Sequence, residues 1–273
     1  MRHFLENKVV IITGASSGIG MACARVMALK GASVVLAARR INRLNALREE
    51  ILHLGRRAIA IQTDVSQEQD CRKLVETTVK EFGRIDVLIN NAGISMRALF
   101  IDLSPDILHR VMNVNFWGTV YCTRYALPHL LASKGSLVAV SSIAGFKGLP
   151  ARTGYSASKF AINGLMETIR IEYLRSGLHV MVVAPSFTRS EIREHALLYD
   201  GSTQGDSPRN ENHMISPEWV ARRIYWGLKM RKRNIILGLK GQLLILLQRI
   251  LPKTIDWLEY REMANENGSP LKH

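Results

Sequence analysis

Along this chain, short apolar runs alternate with longer stretches whose apolar positions recur every three or four residues. The runs Val9–Ile12, Ser33–Ala37, Ala58–Gln62, Val87–Asn90, Ser136–Ser141 and Val180–Ala184 are rich in Val, Ile, Leu and Ala, with little polar alternation. Strands covered by helices on both faces have this pattern. Between them, Ile41, Leu44, Leu47, Ile51 and Leu54 mark one helical stripe, and Cys71, Leu74, Val75, Thr78, Val79 and Phe82 mark another. Ser104-Pro105 and Ser216-Pro217 each read as an N-cap followed by Pro in the first turn. Repeated strand–helix units predict an α/β fold with a parallel sheet, and Ile235–Leu237 supplies a seventh strand at its edge.

Two stretches break the rhythm. Residues 193–216 are polar and loop-like, with Gly201, Gly205 and Pro208. A loop of that length is expected to be a mobile lid or a disordered segment. Its place after the sixth strand sets it beside any site at the carboxyl ends of the strands. Further on, Gly241–Leu251 is strongly apolar and follows the basic cluster Lys229, Arg231, Lys232 and Arg233. Lys240, Gln242, Gln248 and Arg249 interrupt it, so no run approaches the ~20 residues that span a bilayer. Two readings stay open: a helix packed on the core or on a partner subunit, or a helix lying on an anionic membrane surface.

Composition narrows the class. With 273 residues, 47% hydrophobic and 22% charged, the chain is neither disordered nor collagen-like. Its 37 Lys and Arg against 23 Asp and Glu give a net charge of +14. Such a balance suits nucleic acid, an anionic membrane or an anionic ligand. No zinc-finger spacing or RNA-binding aromatic motif accompanies it, so no nucleic acid partner is expected. Cys23, Cys71 and Cys122 are widely spaced in apolar surroundings, which reads as buried free thiols in a reducing compartment. They make no metal site, and none is expected. The segment Met1–Asn7 is too short and polar for a signal peptide or anchor. The expected location is cytoplasmic, with a peripheral membrane surface as the alternative that the tail leaves open.

The first strand runs into Thr13-Gly14-Ala15-Ser16-Ser17-Gly18-Ile19-Gly20, which opens directly into a helical stretch. Glycines here allow a tight turn and let backbone N–H groups approach a pyrophosphate at the positive end of the helix. Gly14, Ser16, Ser17, Gly18, Ile19 and Gly20 are therefore candidate cofactor residues. At the end of the second strand, Ala37-Ala38-Arg39-Arg40 lacks the acidic residue that would take a ribose 2′-hydroxyl. Guanidinium favours a 2′-phosphate, so NADP(H) is preferred over NAD(H), with Arg39 first and Arg40 second. Asp64-Val65 after the third strand suits the adenine edge; alternatively Asp64 caps the helix that follows.

Tyr155-Ser-Ala-Ser-Lys159 carries the chemistry. Residues four apart on a helix share a face. A phenol titrates near 10 and exchanges protons poorly at neutral pH, but a neighbouring ammonium lowers that value. Ser142 stands at the end of the preceding strand, where its hydroxyl can bond a carbonyl oxygen as charge develops. Its neighbour Ser141 turns to the opposite face.

Taken together, TGASSGIG, Asn90-Asn91-Ala92-Gly93, Asn115, Ser142 and Tyr155-xxx-Lys159 resemble the short-chain dehydrogenases/reductases, over about Asn7 to Glu191. The resemblance implies a single Rossmann-type doubly wound sheet, order 3-2-1-4-5-6-7, over residues 1–238. Its lid covers about 190–216, and 239–273 form a helical tail rather than an independent domain. It also implies that Tyr155 is the acid/base and that Lys159 lowers its pKa while binding the nicotinamide ribose. Ser142 would polarise the carbonyl, and Asn115 would anchor a water in a proton relay. Asn113 competes with Asn115, but the Val114-Asn115-Phe116 context matches better. Asn91, Ala92 and Gly93 fall on the cofactor side.

One departure follows the sixth strand, where Pro185-Ser186-Phe187-Thr188-Arg189-Ser190 replaces the usual Pro-Gly-x-x-x-Thr. Pro185, Thr188 and Ser190 remain candidate cofactor contacts, while Ser186 is expected to stiffen or re-route the loop. Ser17 stands where some NADP enzymes carry Lys or Arg, which leaves the cofactor choice to Arg39 and Arg40. The tail is similar to that of membrane-surface relatives near the 11β-hydroxysteroid dehydrogenases. The expected activity is NADP(H)-dependent interconversion of a ketone and a secondary alcohol of steroid, sphingoid or fatty type. Met96, Arg97, Leu149, Phe187 and the lid would line the pocket, and the family implies a homodimer or homotetramer. The alternative is a catalytically silent NADP(H)-binding sensor or membrane-surface scaffold on the same fold.

Overall fold

The computed structural model describes residues 4–208 and 214–271. Residues 1–3 of the N-terminal stretch and 209–213 of the expected lid lie outside the described residues. The strands are β1 (Val9–Thr13), β2 (Ser33–Ala38), β3 (Ala58–Gln62), β4 (Val87–Asn90), β5 (Ser136–Val140), β6 (His179–Pro185) and β7 (Asn234–Leu237). They pair in parallel in the order β3-β2-β1-β4-β5-β6-β7. The helices are α1 (Gly18–Leu29), α2 (Ile41–His53), α3 (Glu68–Phe82), α4 (Pro105–Met112), α5 (Gly118–Ala132), α6 (Thr153–Glu172), α7 (Pro217–Lys229), α8 (Leu239–Leu247) and α9 (Pro252–Ala264).

The even apolar composition of the strands has a direct cause. Val10, Ile12, Val34 and Leu36 pack with α1, α2 and α7 on one face of the sheet. The intervening Val9, Ile11, Val35 and Ala37 pack with α3, α5 and α6 on the other. Successive residues of a strand point to opposite faces, so a sheet with two apolar covers confines polar residues to the ends of its central strands, as at Thr13, Asn90 and Ser136. In register, Ile11 stands between Val35 and Leu88, all fully buried. Cys23 lies in the first layer, Cys71 and Cys122 in the second, and all three are buried free thiols. Burial pushes the Cys23 thiol up to about 12, so it stays protonated and inert.

Both expected caps form. Ser104 accepts from Asp106 N and Ser216 from Trp219 N, each with Pro in the first turn. The segment after β6 has no helix among its described residues, yet it is fastened. Leu197 N donates to Ser95 O, Arg97 N donates to Leu197 O, and Ala196 and Leu197 are buried. Leu197 joins Met96, Ala98, Leu103, Ile107 and Val111 in a small apolar cluster beside the site. Ser186 needs no left-handed backbone. The glycine of this corner is Gly238 (φ 97°), where an added Cβ would stand 2.8 Å from Ser186 Cβ.

Arg97 and Met96 correct the expected pocket. Met96 is consumed by that cluster, and Arg97 is buried in an ion pair with Glu266 at 3.1 Å. Arg97 also donates to Asn267 O, which ties the segment after α9 to the loop after β4. In α8 only Gly241 is buried, while Leu239, Leu243, Leu246 and Leu247 are exposed. Among the described residues no helix is long and apolar enough to cross a membrane.

Candidate active site

Adjacent strands β1 and β4 send their chains to opposite faces, which opens a crevice beyond their carboxyl ends. The glycine turn and the Asn-Asn-Ala-Gly segment meet there. Gly14 and Gly18 have left-handed backbone, with φ of 66° and 52°. A Cβ on Gly14 would lie 2.9 Å from Ala92 Cα, and one on Gly20 would lie 2.3 Å from Gly14 O. Neither position tolerates a side chain without moving backbone. Asn91 Nδ2 donates to Thr13 O (3.0 Å) and Gly14 O (3.3 Å), while Thr13 Oγ1 accepts from Asn91 N and Ala92 N. The second motif therefore braces the first. Ser17, the N-cap of α1, makes no side-chain cap, which leaves the first-turn amides for an anion. The cradle fits the pyrophosphate of a dinucleotide.

A cavity of about 1030 Å³ extends from this turn. Every residue that the sequence singled out for catalysis or cofactor binding lines it, except Gly20 and Asn115. Gly20 acts by its lack of a side chain. Asn115 acts from behind the wall. It is fully buried in a π-helical stretch, Asn113–Trp117, between α4 and α5. Its Oδ1 accepts from Ile94 N (2.8 Å), and its Nδ2 donates to Ile94 O (3.0 Å) and Ser158 Oγ (2.9 Å). The competing Asn113 is exposed.

At the ribose end the two arginines separate. Arg40 donates through Nε and Nη2 to Ser16 Oγ (3.1 and 3.0 Å), and through Nη2 to Ser17 Oγ (2.7 Å). Arg39 is exposed at the rim. Asp64 reaches the cavity with Val65, but its Oδ1 accepts from Ser66 N and Ser66 Oγ, a turn that leads into α3.

At the other end, α6 presents Tyr155 and Lys159 on one face, with Lys159 Nζ 5.6 Å from the Tyr155 ring centre. Lys159 is buried and donates to Val140 O at 3.0 Å. Burial lowers its pKa from 10.5 to about 8. Tyr155 departs from expectation. Burial raises its phenol, and the Ser142 hydrogen bond with the charges of Arg152 and Arg193 offsets this only in part. The ammonium leans over the ring rather than meeting the hydroxyl, so the lowering expected from Lys159 is not realised here. Ser142 Oγ accepts from Ala144 N, while the neighbouring Ser141 turns its hydroxyl to Lys159 O.

Sequence reasoning missed the far wall. Leu239, Gly241 and Leu244 of α8 and Glu259 and Glu262 of α9 line the cavity, beside Ile192, Arg193 and Met214 of the lid, which was expected there. Gly241 was the available signal. A Cβ there would meet Ile143 Cδ1 at 2.3 Å, one residue past Ser142. Leu149 and Phe187 line the cavity as expected.

Comparison with known proteins gives the family. The model for short chain dehydrogenases matches residues 8–198. An 11-beta-hydroxysteroid dehydrogenase A from Arachis hypogaea is 45% identical over 205 residues, which is 74% of this chain and 57% of the relative. The chain thus spans little more than half of that relative's length. A short chain dehydrogenase from Burkholderia cenocepacia in complex with NADP superposes with a TM-score of 0.75 at 27% identity, covering 86% of this chain and 97% of that one. A short chain dehydrogenase/reductase from Burkholderia phymatum in complex with NAD gives 0.79 at 23% identity, covering 93% and 96%. This last likeness bears on the fold alone.

Proposed function

The chain belongs to the short chain dehydrogenase family, and from that premise we propose that it interconverts a lipophilic ketone and a secondary alcohol with NADP(H). One observation carries the reading: Ser142, Tyr155 and Lys159 stand on the wall of the same cavity as the braced glycine turn. A nicotinamide dinucleotide, which the glycine turn, Asn91, Ala92, Gly93 and Lys159 would hold, would supply the hydride exchanged with the carbonyl carbon. The chain's residues do the rest. Ser142, whose Oγ already accepts from Ala144 N, turns its proton toward the substrate oxygen as negative charge builds there. Tyr155 gives its phenolic proton to that oxygen. Lys159 holds positive charge beside the phenol and, with Asn115, supports proton resupply from solvent. The bonds of Asn115 to Ile94 and Ser158 fix the wall from which Lys159 works.

A lipophilic substrate suits the apolar part of the lining, Leu149, Phe187, Ile192, Met214 and Leu244. The test is a panel of steroid, sphingoid-base and fatty ketones, with NADPH oxidation followed. Turnover of at least one lipophilic ketone, well above that of small water-soluble ketones, is expected. NADPH binding without oxidation across the panel would instead make the chain a sensor.

The same helix that lines the cavity turns Leu239 (78% exposed), Leu243 and Leu246 (59%) outward, followed by Ile250 (69%). Lys240, Arg249 and Lys253 flank them. This supports seating of α8 on an anionic membrane surface, close to a source of lipophilic substrate. The full chain is expected to co-sediment with vesicles containing anionic phospholipid, less so at high salt, and Leu246→Glu with Ile250→Glu to remove that binding. Vesicle binding unchanged by these charges, or none at all, would refute it. The homodimer or homotetramer implied by the family would cover Phe160, Ile171 and Leu174, exposed apolar side chains on and just after α6.

A further inference from the structure

The sequence leaves Arg40 as a free cation awaiting an anion, but the structure gives it a resident one. Glu191, the residue after Ser190 on the loop that follows β6, accepts from Arg40 Nη1 at 2.7 Å. It also accepts from Arg43 Nη1 at 2.7 and 3.0 Å. Arg40 Nε and Nη2 are held by Ser16 and Ser17, which leaves Nη1 as the nitrogen that faces anions. Glu191 lines the cavity beside Ser16, Ser17, Arg39 and Arg40. An acidic group therefore stands at the ribose end of the cradle, supplied by the far side of the site rather than by the end of β2.

We propose that Glu191 is a specificity-determining residue that competes with a cofactor 2′-phosphate for Arg40. This rests on the reading that the cavity holds a nicotinamide dinucleotide. A 2′-phosphate brings a second anion to a fork whose outer nitrogen is taken. Two like charges cannot share that nitrogen at hydrogen-bond distance without strong repulsion. The phosphate therefore displaces the carboxylate from Arg40 and leaves Glu191 held by Arg43 alone. A ribose hydroxyl makes no such demand, so NAD(H) leaves the Arg40–Glu191–Arg43 bridge in place. The consequence is that Glu191 weakens the NADP(H) preference that Arg39 and Arg40 would otherwise give. It also couples the choice of cofactor to the position of residues 190–195.

Each side chain of the pair is more than a third exposed (38% and 34%), which limits its strength. Glu191→Gln keeps the shape and removes the charge. Direct titration of the 273-residue chain with NADPH and with NADH, followed by protein fluorescence, reads the effect without turnover. The variant is expected to bind NADPH about five-fold more tightly than wild type. NADH affinity should change by less than about two-fold, because no phosphate competes. An unchanged ratio of the two affinities, or equal tightening of both, overturns the proposal while leaving cofactor binding intact. If wild type binds neither dinucleotide, the reading of the cavity fails and the proposal falls with it.

Discussion

Tyr155→Phe is expected to lower ketone reduction by about a thousand-fold while NADPH still binds as in wild type. The substitution removes one oxygen and keeps the ring, which packs against the Met96–Ile107–Val111 cluster. The glycine turn and its Asn91 brace lie at the other end of the cavity and do not sense the change. What disappears is the proton donor. Burial holds the phenol above its ordinary value of 10.0, so at neutral pH Tyr155 carries a proton ready for delivery to a developing alkoxide. The same shift sets the direction of the pH dependence. Alcohol oxidation needs the deprotonated phenol and should accelerate as pH rises, whereas reduction should hold steady and then fall. Both follow from steady-state rates of wild type and variant across pH, with cofactor titrations alongside. Full turnover in the Phe variant would end the assignment.

Lys159→Met should separate activity from stability in the opposite sense. Turnover is expected to fall by about a hundred-fold or more, because the ammonium that would bind the nicotinamide ribose and support proton resupply is gone. Yet the variant should be the more stable protein near neutral pH. In the folded chain Lys159 titrates at about 8, against 10.5 for the unfolded residue. Below the folded value both states are charged, and the cost of the buried ammonium is fully present. Between the two values the folded protein has released its proton while the unfolded chain retains it, so stability rises with pH. Above the unfolded value the cost is gone. The difference corresponds to about 3 kcal/mol, reduced by about 1 kcal/mol for the hydrogen bond to Val140 O that Met cannot make. Urea unfolding should therefore place the variant about 2 kcal/mol above wild type at neutral pH, with the gap narrowing above the folded pKa. A less stable Met variant would mean that the buried ammonium is not a burden. A functional residue maintained at the expense of stability is what an active site built for charge entails.

How much of this was legible from sequence depends on range along the chain. The strands were readable to within a residue or two because each is a short apolar run between polar helices. The dominant physics there, burial of both sheet faces, acts on neighbouring residues. The glycine turn was readable for the same reason, since Gly14 and Gly18 need left-handed backbone and Gly20 closes on Gly14 O, all within the turn itself. Arg40 and Glu191 lie 151 positions apart. Nothing in the local pattern around either one announces the pair, and only the return of the chain after β6 brings them together. Asn115 was singled out by its motif context, but its π-helical setting was not legible, because one widened turn between two helices leaves no mark in the local pattern. Met96 and Arg97 were misplaced since an apolar and a basic residue near a site suit a pocket as well as a packing cluster. The partner that settles Arg97 is Glu266, almost at the other end of the chain. The tyrosine's pKa went the wrong way for a related reason: spacing fixes the shared helix face, but not where along the ring the ammonium comes to rest.

One measurement bears most directly on the central claim that Tyr155 completes a hydride transfer begun in this cavity. NADPH carrying deuterium at both hydrogens of nicotinamide C4 is mixed with the 273-residue chain and the best ketone of the panel, and the alcohol is analysed by mass. Deuterium is expected on the carbinol carbon with wild type and almost none with Tyr155→Phe. Alcohol that forms without the label, or label that arrives equally in both proteins, would contradict it.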